Sequence, residues 1–101
     1  MEDLTVINAL GSYMINRKET LAVAESVTSG MIQNMLSLAH NTTSFFQGGI
    51  TAYNLGQKFK HLGVEPIHAA ACNCVSEVVA QQMALGAAIL FASDWGIGIT
   101  G

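Results

Sequence analysis

One stretch restricts this chain more than any other: Leu21-Ala22-Val23-Ala24-Glu25-Ser26-Val27-Thr28-Ser29-Gly30. Its first half is small and apolar, which fits a strand covered on both faces. Beyond it, Met31, Met35 and Leu38 recur at helical spacing. The segment therefore reads as a strand over 20–25, a tight turn, and a helix running to about Ala39. Ser26 falls at the corner, followed by small hydroxylated residues and a glycine. Such a turn aims backbone N–H groups at whatever lies in front of the helix. A serine there has donors at hand for a developing oxyanion. On local sequence a plainer role is the commoner one: Ser26 or Thr28 caps the helix N-terminus.

The rest of the chain supplies the layers around that corner. Leu4, Ile7, Leu10 and Met14 share a face, predicting a helix over about 3–17, slightly weakened by Gly11. A second strand is expected from Gln47 to Tyr53. Its paired glycines, Gly48-Gly49, suggest a bulge or a close backbone approach. A short helix is expected from Asn54 to His61, then a turn at Glu65-Pro66, while 67–71 is ambiguous between helical and extended structure. Ser76 is a good N-cap for a buried helix to about Ser93, with Val79, Met83, Gly86 and Leu90 along one side. Trp95 to Thr100 reads as a third strand. The order α-β-α-β-α-α-β implies an α/β protein, three-layer α/β/α, with a small, mostly parallel or mixed sheet. Such a short sheet leaves an open edge, which leads us to expect a homo-oligomer.

Bulk properties narrow the function. With 101 residues one domain, 1–101, is expected. Only 11% of residues are charged and the net charge is −3, which argues against nucleic acid or an anionic membrane surface as a partner. No apolar run reaches the ~20 residues of a membrane span. The acidic start Met1-Glu2-Asp3 does not read as a secretion signal, so a cytoplasmic location is the expectation. Cys72 and Cys74 stand too close for an ordinary disulfide, and even with His68 they make a poor metal site, so buried free thiols are expected.

A nucleophilic serine needs a proton acceptor. His40, His61 and His68 lack the context of a triad, and the turn is not Gly-x-Ser-x-Gly. Lysine is the other base. Arg17 and Lys18 lie in a polar turn, whereas Lys58 and Lys60 lie on the short helix after the second strand. A partly desolvated lysine can lose its proton, so Ser26 with Lys58 would form a dyad. A solvated surface lysine is the alternative, and Tyr53 reads equally as a strand aromatic with its hydroxyl at the rim.

Several pieces recur in a fixed order: Ala24-Glu25-Ser26-x-Thr28-x-Gly30, Phe46-x-Gly48-Gly49-x-x-x-Tyr53, Lys58 before Leu62-Gly63-Val64, Val75-Ser76-Glu77-x-Val79-Ala80, and Ile99-Thr100-Gly101. From about Leu4 onward this series resembles the C-terminal domain family of the competence-damage-inducible protein CinA, which includes the nicotinamide mononucleotide amidases. The resemblance implies an α/β/α fold and hydrolysis of the carboxamide of nicotinamide mononucleotide to nicotinate mononucleotide and ammonia. It implies a pyridine-nucleotide ligand and no metal or organic cofactor. Ser26 matches the nucleophile, Lys58 the general base, and Tyr53 a tyrosine beside that lysine. Thr28 and Gly30 match the anion-binding turn, and Thr100 and Gly101 the opening of a later site loop. Val27 and Ser29 stand where the family usually has Cys and Gly, and Asn54-Leu55-Gly56-Gln57 replaces its usual Ser-Asn-Glu-Ala. Family domains run on past the Thr-Gly pair, so the chain is expected to be a shortened domain. A non-catalytic binding or assembly module is the alternative expectation.

Overall fold

The computed structural model describes residues 4–101; the acidic start lies outside them. Its centre is strand β1 (Leu21–Glu25), buried along its whole length. Successive side chains of a strand point to opposite faces, and β1 uses this to build two cores. Leu21 and Val23 face one core, with Ile7 and Met14 of helix α1 (Leu4–Arg17), Leu36 of helix α2 (Met31–Leu36), and Phe45. Ala22 and Ala24 face the other. There they meet Leu62 of α3 (Leu55–Leu62), Ala69 of α4 (Pro66–Ala71), and Val79, Met83 and Ala87 of α5 (Glu77–Leu90). Helices therefore cover both faces of the sheet, in three layers.

Strand β2 (Phe46–Thr51) and strand β3 (Trp95–Gly98) flank β1, both parallel to it, in the order β2-β1-β3. The sheet is thus wholly parallel rather than mixed. Its register breaks where Leu21 pairs with Phe46 and Ala22 with Gly48. Gly48 sits there at φ 128°, a conformation that side chains rarely adopt, so the glycine pair marks a bulge. On the far side, Gly96 and Gly98 let β3 lie directly under α5. A Cβ on either would collide with the carbonyl of Ala84 or Ala80. Gly11, expected only to weaken α1, makes room for the Phe45 ring.

Several boundaries differ from expectation, each for a visible reason. α2 stops at Leu36 rather than Ala39, because Leu38 and Ala39 donate to carbonyls three residues back, tightening the chain out of α geometry. Its buried face also differs: Met31 and Leu38 are exposed, and Leu36 enters the core. Residues 66–71 are helical, since Glu65 caps them through the N–H groups of Ile67 and His68 and Pro66 fills the first turn. α5 ends at Leu90, before Ala92 turns left-handed at φ 52° and Asp94 takes hydrogen bonds from the backbone and hydroxyl of Thr20. Ala87, not Leu90, carries the buried stripe to its end. The first strand opens at Leu21, and the second and third close at Thr51 and Gly98. Cys72 and Cys74 are free and only half-buried. Among the described residues no helix is long and apolar enough to cross a membrane.

Candidate active site

The chain leaves β1 for β2 on one side, then crosses through α3, α4 and α5 to β3 on the other. In open parallel sheets that reversal creates a crevice beyond the carboxyl ends of the strands. All three strand ends meet there. Ser26 follows β1, Tyr53 follows β2, and Thr100 and Gly101 follow β3; together with Lys58 they line a cavity of about 310 Å³. Asn73 and Cys74 add a wall from the loop after α4. Both have left-handed backbones, and the Cys74 carbonyl accepts a 2.7 Å hydrogen bond from Thr100 Oγ1. That bond ties the wall to the residues after β3.

Lys58 enters from α3. Asn54 caps this helix by accepting from Gln57 N–H, which fixes where the helix starts and which residue turns inward. The solvated-lysine alternative fails: Lys58 is 2% exposed and Ser26 6%. Nζ donates to Ser26 Oγ over 2.9 Å. No carboxylate pairs with Lys58 among the described residues, whose ion pair is Arg17–Glu19. The amine therefore has the serine hydroxyl as its side-chain partner.

The corner itself is held by a residue whose role the sequence did not suggest. Neither Ser26 nor Thr28 caps α2; the capping position is Gly30, which has no side chain to offer. Glu25 reaches forward from the end of β1 instead, with no exposed surface. Its Oε1 accepts from Thr28 Oγ1 at 2.6 Å and from the N–H groups of Gly30 and Ile32 at 3.1 Å. Oε2 accepts from Gln33 N–H at 2.8 Å. Burial alone raises the Glu25 carboxyl, but the bonds from Thr28, Gln33 and Ile32 outweigh it and hold it below its ordinary value.

This changes the part each expected residue plays. Thr28 and Gly30 do not line the cavity; both donate to Glu25. Gly30 N–H is therefore not free for an oxyanion. Val27 does line the cavity, and its N–H donates to no acceptor among the described residues. Tyr53 is 66% exposed at the rim, with no hydrogen bond to Lys58. Its hydroxyl does not orient the amine. None of the three histidines lines the cavity; His61 meets Gln57, and His68 meets the capping Ser76. Among the described residues no three His, Cys, Asp or Glu side chains converge as a metal site would require.

Fold and site together define an open parallel-sheet α/β protein with a buried serine–lysine contact at its topological switch point. The chain belongs to the CinA C-terminal domain family, whose profile matches residues 3–101. It is 48% identical over 92 residues to a CinA-like protein of Picosynechococcus sp., covering 91% of this chain and 22% of that one. A CinA-like protein of Rippkaea orientalis is 39% identical over 100 residues, covering 99% and 24%. Among solved structures, a CinA superfamily protein from Escherichia coli superposes with a TM-score of 0.86 at 31% identity, over 90% of this chain and 53% of that one. The competence/damage inducible protein CihA from Agrobacterium tumefaciens gives 0.73 at 27%, over 88% and 55%. The chain thus spans about a quarter of the length of these curated relatives and about half that of the solved ones.

Proposed function

We propose that this chain carries the nucleophilic core of an amidohydrolase that cleaves the carboxamide of nicotinamide mononucleotide. The observation that carries it is the 2.9 Å contact between Ser26 Oγ and Lys58 Nζ, buried at the carboxyl end of the central strand. Lys58 in its amine form takes the Ser26 proton as Oγ attacks the carboxamide carbon. The N–H of Val27, directly after the nucleophile and without another acceptor among the described residues, receives the oxyanion. When the tetrahedral intermediate collapses, the C–N bond breaks and the Lys58 ammonium returns its proton to the departing ammonia. Water, activated by the same amine, then hydrolyses the acyl-Ser26 ester. Tyr53, exposed at the rim, offers a ring face for a heteroaromatic base.

A second reading, a binding or assembly module without turnover, also has support. Among the described residues Lys58 is the sole cationic side chain lining the cavity, and it is engaged by Ser26, so a substrate phosphate meets no free cation from them there. The chain also spans half of the solved relatives, and pocket residues can lie in the other half. Ammonia release from nicotinamide mononucleotide by the purified chain separates the two readings. The amidase reading expects turnover that Ser26→Ala and Lys58→Met each lower by about a thousandfold or more. Nucleotide binding without ammonia would instead assign the chain to the binding module.

A further inference from the structure

We propose that Glu25 is the positioning residue of the Ser26–Lys58 pair: its carboxylate ties the end of β1 to the start of α2 and so holds the serine hydroxyl against the amine. The proposal deepens the amidase reading and rests on it for its catalytic meaning.

Four observations carry it. Glu25 directly precedes Ser26, and its own backbone is fixed in the sheet, pairing with Thr51 and accepting from Ala52 N–H at 2.9 Å. Its side chain then gathers donors from Thr28, Gly30, Ile32 and Gln33, so both ends of the turn are bound to one group. The turn needs that restraint, because Ser29 is held left-handed at φ 53° and Gly30 at φ 98°, and the first of these is unfavourable for a residue with a Cβ. Water does not compete for these bonds, as Glu25 has no exposed surface.

The arrangement also decides what the start of α2 is for. In many α/β proteins that position receives an anion from the ligand. Here the chain supplies the anion itself, from the residue beside its nucleophile. The amides of Gly30, Ile32 and Gln33 are closed to substrate, and Val27, which lines the cavity, is left with an N–H that donates to no acceptor among the described residues. A glutamine would keep the shape but present an NH₂ group to at least one of these N–H donors. Two donors would then face each other, and the turn carrying Ser26 would shift.

A plain helix cap would stabilise the fold without moving the pair, so the test must read the pair itself. The Lys58 Cε–Hε NMR signal of the whole chain reports the amine's surroundings with no substrate present. A serine-directed fluorophosphonate reports the reactivity of Ser26. In Glu25→Gln that keeps native circular dichroism, the Lys58 signal is expected to move toward that of exposed Lys60, with labelling about tenfold slower or more. A folded Glu25→Gln with the Lys58 signal unmoved overturns the proposal. If Glu25→Gln does not fold, Thr28→Val removes one of the four donors. It should move the Lys58 signal in the same direction, and an unmoved signal there overturns the proposal as well. Wild-type protein that fails to label counts against the amidase reading alone; the Lys58 signal still decides the role of Glu25.

Discussion

At the corner after β1 the backbone is held by donors converging on one carboxylate. Beneath α5 it is held by the absence of side chains: Gly96 and Gly98 let the strand come up against the carbonyls of Ala84 and Ala80. Both regions fix part of the same site, the first by placing Ser26 and the second by setting the path of β3 toward Thr100 and Gly101. They differ in what can disturb them. The corner depends on ionisation, since its acceptor must stay a carboxylate. The seam depends on volume alone and is indifferent to pH. A site built across both is therefore expected to lose its serine side and its β3 side under different stresses.

The largest effect is expected at the seam. Gly96→Ala places a methyl against the Ala84 carbonyl, and no rotamer change relieves a clash with backbone. A loss on the order of 3 kcal/mol follows, visible as an earlier urea midpoint. A midpoint equal to wild type would show that α5 can lift off the strand, so that volume does not hold the seam.

Next comes the corner. Glu25→Gln should cost on the order of 2 kcal/mol at neutral pH, for the loss of charge-assisted bonds. The pH dependence has a definite sign. The Glu25 carboxyl is lowered in the folded chain, where the Thr28, Gln33 and Ile32 bonds outweigh burial. Its stabilisation is therefore complete above the unfolded value of about 4.3 and is lost as pH falls through the folded one. The gap between wild type and Glu25→Gln should narrow from neutral pH to about pH 3, whereas the Gly96→Ala gap should not. Parallel narrowing of both gaps would erase the distinction between the two regions.

The smallest effect is expected from a solvent-exposed ion pair, which lies against the start of β3 through the bond from Trp95 Nε1 to Glu19. Arg17 meets Glu19 at 2.8 Å, with the arginine side chain half exposed to water. Arg17→Ala is expected to leave the thermal midpoint unchanged within error. A clear drop would mean that hydrogen-bonded charge matters here regardless of burial, and the special standing of Glu25 would weaken.

What was legible in the sequence follows from how local each signal is. The strand before Ser26 showed because an apolar run is a local pattern, and the Ser76 cap of α5 showed because capping is a local bond. The face of α2 did not, since a helix of six residues gives too few turns for periodicity to separate Met31 from Leu36. α5 is apolar nearly all round, so spacing alone could not favour Ala87 over Leu90. The role of Glu25 was hidden for another reason. A glutamate ending a strand usually reads as a solvated terminus, and its donors lie three to eight residues ahead, around a turn whose path no local pattern specifies. Asn73 and Cys74 were missed as a cavity wall because the loop after α4 reaches the site only once α4 is packed.

By itself the sequence determined the order of the three strands and of every α-helix but α4, the burial of β1 on both faces, and the position of a serine at the first strand-to-helix corner. These depend on neighbours along the chain. Tertiary structure decided that Lys58 turns inward to Ser26, that Glu25 rather than a hydroxyl caps α2, and that Tyr53 stays at the rim. Each of those outcomes joins segments separated in sequence, and burial is what fixes it: excluding water leaves a buried polar group only the partners that packing brings within reach.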